Sequence, residues 1–141
     1  MLIPDEILNE YFPDNQDEVL DRLRKNLDFQ LIKDCPFLML HTENRVRVIA
    51  DRVLNQKFVK PNILLEVENI ETLLELSRKG MGITFYPHSL QSYSTAEKFQ
   101  GLHIVKVPYE KTQAIGVGYL RNRFLSQAGR EFIRMLKEVI Q

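Results

Sequence analysis

Apolar and polar positions along this chain follow two periods, and the switches between them mark its elements. Between Asn62 and Pro87 the pattern is clearest. Ile63, Leu64, Leu65 and Val67 make a nearly continuous apolar run, as in a short parallel strand covered on both faces. Asn69 follows as an N-cap, its side-chain oxygen able to accept from the free amides of the first helical turn. Ile70, Leu73, Leu74 and Ser77 then share one helical face, and Glu71, Glu75 and Lys79 the wet one. Gly80 suits the left-handed residue that stops a helix, and Ile83 to Tyr86 resumes the strand pattern until Pro87 closes it. The stretch predicts strand, helix and strand, a minimal crossover between parallel strands.

The flanking segments extend this reading. Leu2-Ile3 begins a strand and Pro4 leads into a helix whose inner positions are Ile7, Leu8 and Tyr11. Asp14 to Gln16 cap a second helix with Val19, Leu20 and Leu23 inward. Leu27 to Lys33 forms a loop or single turn that tucks Phe29, Leu31 and Ile32 inward. Cys35 to Leu40 is the next strand. Val46, Ile49, Ala50, Val53, Leu54 and Phe58 then mark the buried face of a long helix, with Arg45, Arg47, Asp51 and Arg52 facing water. Strands 36–40, 63–67 and 83–86 are expected in one parallel sheet, with helices 44–57 and 69–79 as crossovers. Beyond them, 89–100 is a short helix or turn, 102–107 a strand, 109–112 a turn and 114–120 a glycine-bearing strand. Ser126 caps a last helix with Phe132, Ile133, Leu136 and Ile140 on one face.

Several motifs recur in a fixed order. Glu66-Val67-x-Asn69-x-x-Thr72-Leu73-Leu74 is followed by Lys79-Gly80-x-Gly82-Ile83-Thr84 and by Tyr86-Pro87. Pro36 to Leu40 precedes them, Ile3-Pro4 opens the chain, and Phe124 to Gly129 with Phe132-Ile133 closes it. This series resembles the effector-binding domain of LysR-type transcriptional regulators, over nearly the whole chain. The resemblance implies an α/β fold, one lobe like those of the type II periplasmic binding proteins, with a mainly parallel sheet and helical crossovers. It implies a hinge strand plus helical elaboration over about 1–35, a second-subdomain core over 36–112, and a returning strand and C-terminal helix over 113–141. Such regulators also carry a winged helix-turn-helix, a linker helix and the opening half of a first subdomain. The chain is therefore expected to be a fragment that begins at the hinge.

Charge and composition narrow the chemistry. Lysine plus arginine equals aspartate plus glutamate at nineteen each, so no net field steers the chain onto nucleic acid or an anionic membrane. A single cysteine, Cys35, excludes an internal disulfide and CxxC metal motifs, and fits a reducing, cytoplasmic setting. No apolar run approaches the roughly 20 residues of a membrane span. His41, His88 and His103 form no metal-ligand spacing, Gly80-x-Gly82 follows a helix and lacks the third glycine of a dinucleotide loop, and no serine sits in a GxSxG elbow. These patterns give no catalytic residue, no metal site and no cofactor, and the chain reads as a non-enzyme.

A binding reading draws on three strand ends. His41, Thr42, Glu43 and Asn44, then Val67 and Asn69, then Phe85, Tyr86 and Pro87 each close a candidate parallel strand. Open α/β sheets bind ligands at that edge, and helix amino ends there favour anions. Taken singly, Thr42 and Asn69 read as caps; as a cluster, the resemblance makes them an effector edge. It implies a small effector, a homodimer, and DNA contact only through a domain outside these residues, and the helix amino ends lead one to expect an anionic effector. Alternatives are a solute-binding or stand-alone ligand-binding lobe, and a small enzyme of unknown chemistry. The charge balance carries a direct expectation: at physiological salt this chain alone retards a promoter fragment in a mobility-shift assay no more than it retards random DNA.

Overall fold

The computed structural model describes residues 1–91, 95–109, 117–120 and 124–140. They fall into two compact units, Met1–Tyr109 and Glu110–Gln141. In the first unit the order is β1 (Leu2–Pro4), α1 (Asp5–Tyr11), α2 (Gln16–Asn26), a 3-10 turn (Phe29–Ile32), β2 (Pro36–Leu40), α3 (Arg45–Gln56), β3 (Asn62–Val67), α4 (Ile70–Arg78), β4 (Ile83–Thr84), α5 (His88–Gln91), a second 3-10 turn (Ala96–Phe99) and β5 (Leu102–Ile104). The second unit contains α6 (Gln127–Ile140).

One sheet runs β3-β2-β4-β1-β5. β2 pairs in parallel with β3 on one side and with β4 on the other, as the alternating and continuous apolar runs lead one to expect. β1 runs antiparallel between β4 and β5, setting Leu2 opposite both Thr84 and Ile104. Side chains of β2 alternate between two layers. Phe37 and Met39 join Ile7, Leu8, Leu20, Leu23, Phe29, Val53 and Leu54 from α1, α2, the turn and α3. Leu38 and Leu40 meet Leu73 of α4, while Leu2 and Tyr86 meet Leu74. The fold is a mixed α/β sandwich of helices on both faces of a largely parallel sheet.

Helix ends follow from local chemistry. Asn44 Oδ1 accepts from Val46 N at 2.9 Å, and Asn69 Oδ1 from Glu71 N at 2.7 Å and Thr72 N at 3.3 Å. Ser126 Oγ accepts from Gly129 N at 3.1 Å in the second unit. Gly80 takes φ +76°, and the bonds Met81 N to Leu76 O and Gly80 N to Ser77 O complete a Schellman stop. Cys35 is buried, and burial, with Asp34 and Glu10 adding, pushes its thiol up to about 12, so it is a small core residue and not a reactive one. The Met1 amine donates to Val105 O at 2.8 Å, and burial pushes it down to about 5.

Three expectations are corrected. β3 is the end strand of the sheet, so Ile63, Leu64 and Leu65 are exposed instead of covered on both faces; β2 holds the central place. Phe58 does not extend the apolar face of α3. The helix ends at Gln56, Phe58 adopts φ +54° with 91% of its surface exposed, and Val59 turns inward in its place. The bonds Val59 N to Leu54 O and Phe58 N to Asn55 O make this a second Schellman stop, with phenylalanine where glycine is usual. Arg47 does not face water; only 7% of it is exposed.

Other departures are smaller. Tyr11 is exposed, Asn15 caps α2 without a side-chain bond, and the strands expected at 83–86 and 102–107 are shorter. The expected turn at 109–112 and strand at 114–120 lie largely outside the described residues, and Val117–Leu120 is not in a strand. On α6, Phe132, Met135 and Val139 are exposed, with Ile133 and Leu136 half-buried, and Arg134 pairs with Glu131 and Glu138.

Thr84 is fully buried on the α4 side of the sheet, and its hydroxyl has no hydrogen-bond partner among the described residues. A buried orphan hydroxyl costs about 1–3 kcal/mol, and valine has nearly the same shape. Thr84→Val should therefore raise the urea midpoint at unchanged slope; a lowered midpoint would show that the hydroxyl is satisfied after all.

Candidate functional site

The parallel strands β3, β2 and β4 all point their carboxyl ends to one edge of the sheet, and the sequence-predicted residues follow from those ends. His41 leaves β2 and donates its backbone N–H to Val67 O at 3.1 Å, which ties the ends of β2 and β3 together. Asn44 N returns to His41 O at 2.9 Å, closing a tight turn with Thr42 and Glu43 exposed at its tip. Asn44 and Asn69 both spend their side-chain oxygens on caps, so each has the local role that its position at a helix start allows. His41, Thr42, Glu43, Asn44, Val67 and Asn69 therefore form one contiguous surface.

Phe85 and Tyr86 differ from these. Both are buried: Phe85 belongs to the layer of α1, α2 and α3, while Tyr86 packs with Leu2 and Leu74 and meets the Phe99 ring edge-on at 5.7 Å. Their side chains build the floor of the β4 end, and Pro87 is half-buried beyond them.

The sequence reading missed the group that organises this edge. Arg47 lies in the first turn of α3, yet its guanidinium turns inward. Nη1 donates to Leu40 O at 2.8 Å and to Glu66 Oε1 at 2.6 Å, and Nε to Asp51 Oδ1 at 2.9 Å. One cation thus joins the end of β2, the end of β3 and the next turn of its own helix. Burial opposes its charge, but hydrogen bonds to Glu66 and Asp51, with their charges, outweigh it and strengthen its hold on the proton. The Glu66 carboxyl lies below its ordinary 4.5, chiefly through the hydrogen bond from Arg47; partial burial opposes this, and the charges of Arg47 and His41 assist. His41 Nδ1 stands 3.9 Å from the other Glu66 oxygen. Two signals pointed here: Asp51 four residues after Arg47, and Glu66 as the only polar residue in an apolar run.

Helices on both faces of a largely parallel sheet give a periplasmic-binding-protein-like α/β fold, and the comparisons agree with that fold. The LysR substrate binding domain family matches residues 15–141, and the chain belongs to that family. Among curated proteins it is similar to the malolactic fermentation system transcriptional activator of Lactococcus lactis subsp. lactis (strain IL1403), 29% identical over 118 residues. That alignment covers 80% of this chain and 38% of the activator. It is also similar to the uncharacterized HTH-type transcriptional regulator YcgK of Bacillus subtilis (strain 168), 21% identical over 111 residues, 79% of this chain and 33% of the regulator. The chain thus spans about a third of the length of the relatives it matches. No helix among the described residues is long and apolar enough to cross a membrane.

The Arg47 cluster yields a mutational and a pH expectation. Arg47→Met should lower the melting temperature more than Arg52→Met, because it strands the Leu40 carbonyl and two carboxylates. A carboxylate whose folded pKa is depressed adds stability that is present above the unfolded value, near 4.5, and is lost as pH falls through the lower folded value. Acidification below that point should therefore cost the parent chain more than Glu66→Gln; parallel losses in a melting series would remove Glu66 from the account.

Proposed function

We propose that this domain senses a small effector for a LysR-type transcriptional regulator and has no catalytic role of its own. The observation that carries the reading is the joined edge His41–Asn44 and Val67–Asn69, held by the His41–Val67 bond and braced by Arg47, in a chain that belongs to the substrate-binding family. The effector lies on that edge, with His41, Thr42, Glu43, Asn44, Val67, Asn69, Phe85, Tyr86 and Pro87 as the residues nearest it or beneath it. The amino ends of α3 and α4 support an anion, a small carboxylate being the simplest. DNA contact belongs to another part of the regulator, and the setting is the cytoplasm.

A sensor differs from a binding lobe in that its ligand shifts an equilibrium between states, by no more than its difference in affinity for them. The second partner is another copy of the chain. The amphipathic α6, with Phe132, Met135 and Val139 exposed, supports association through that helix.

Asn69→Ala tests the edge. Loss of a cap costs about 1 kcal/mol of stability. In a regulator carrying this domain, reporter induction should fall further than the amount of folded protein does. If the two fall in proportion, Asn69 acts as a cap alone. Thermal shifts of the isolated chain with a panel of small carboxylates, without turnover of any of them, separate sensor from enzyme.

A further inference from the structure

We propose that Phe58 anchors an acidic peptide segment of another protein, received at the end of the sheet opposite the effector edge.

Phe58 stands in the loop between α3 and β3, at the amino ends of the parallel strands. Two bulky residues of this chain occupy the left-handed position after a helix. Leu27 does so after α2 with φ +52°, and Phe58 after α3 with φ +54°. That conformation costs a residue with a Cβ free energy that glycine escapes. Leu27 offsets the cost by packing against the core. Phe58 has no such offset within the chain, with 91% of its surface in water. Its backbone is nonetheless fixed on both sides. Gln30 Nε2 donates to Lys57 O at 3.2 Å and to Phe58 O at 3.1 Å, and Phe58 N donates to Asn55 O at 3.0 Å. A strained and fastened backbone thus holds an aromatic ring out into solvent. A large apolar side chain on a preordered mount is what an interface anchor requires.

The charges around the ring select the occupant. Lys57 and Lys60 lie on either side of Phe58 in the loop, and Lys33 follows the 3-10 turn that carries Gln30. All three are exposed, and none is in an ion pair among the described residues. Lys57 Nζ reaches the Asn26 carbonyl, at 3.5 Å. Against them stands Asp34, beside Lys33, whose carbonyl accepts from Asn62 Nδ2 at 3.5 Å. Asp28 is already taken up by Arg22 at 2.6 Å. The surface therefore carries surplus positive charge in a chain whose total is zero. Carboxylates on both sides of an apolar residue complement it. A nucleic-acid strand is the poorer fit, because successive bases stack on successive rings and this surface offers one.

Random peptides displayed on phage and selected on the 141-residue chain test this. The selected sequences should share aspartate or glutamate on both sides of an apolar residue. Fluorescence anisotropy with a synthetic peptide of that consensus should show the dissociation constant rise roughly tenfold or more in Phe58→Gly, and by a similar factor when Lys57→Glu and Lys60→Glu are combined. Phe132→Glu, in the second unit, should leave it unchanged. Glycine sheds the backbone strain, so the melting temperature of Phe58→Gly should equal or exceed the parent's. A lower one would show that the ring serves the fold, and would overturn the proposal. A consensus without acidic residues, or failure to select any binder that Phe58→Gly weakens, would overturn it too. Oligothymidylate binding lost in the same variant would assign the surface to nucleic acid, and self-association lost in it, followed by sedimentation velocity, would assign it to a second copy. Either result overturns the acidic peptide.

Discussion

β2 has neighbours on both of its edges and helices on both of its faces, and the rest of the first unit is arranged by that constraint. Its four residues Phe37 to Leu40 are buried, alternating between the layer of α1, α2 and α3 and the layer of α4. With both edges occupied, the chain that leaves through α3 must return as an outer strand. The chain that leaves through α4 must cross β2 entirely to reach its far side. That second crossing ends in a turn so close to β2 that a Cβ on Gly82 would stand 2.8 Å from Pro36 O. Only glycine fits there without shifting the strand.

Arg47 extends the same logic to the candidate site. The turn after β2 would be an ordinary exposed loop if it were fastened at one end only. It is fastened at both, through His41 to Val67 and through Asn44 to α3, and the guanidinium beneath binds the carbonyl of Leu40 to Glu66 and Asp51. Exchanging Arg47, Asp51 and Glu66 together for apolar residues would cost little net stability, whereas removing one of them strands the others, so the value of the cluster lies in fixing geometry. The strand ends are held in place by the chain's own bonds, so a ligand meeting this edge would find it already ordered.

Most of the elements were legible in the residues, because periodicity and capping are local. The Asn69, Gly80 and Ser126 signals act within five residues of their partners and stand where the sequence pattern put them, whereas the cap of α3 is Asn44 and not Thr42. What was not legible is non-local. An apolar run such as Ile63–Val67 reads alike in a central strand and an edge strand, since order in the sheet depends on residues far away in the chain. A helical wheel assigns Arg47 to water because nothing near it announces Glu66, nineteen residues on. Phe58 broke a different rule: its Schellman stop has the usual hydrogen bonds but a bulky residue in the left-handed position, a cost of about 1–2 kcal/mol that composition does not advertise. At the candidate site, the polar rim was visible as caps and turn residues, whereas the burial of Phe85 and Tyr86 became clear only with the packing of Leu2 and Phe99.

The place of β1 carries a consequence in time. Leu2 is fully buried between β4 and β5, opposite Thr84 and Ile104, so β1 needs partners that are synthesised last in this unit. Synthesis of the 102 residues that separate Leu2 from Ile104 takes roughly 5–20 s at 5–20 residues per second. The contiguous β2–α3–β3–α4–β4 segment completes its own pairings before β5 exists. During that interval β1 waits with Leu2 and Ile3 uncovered, which makes it the part of this unit most in need of a chaperone.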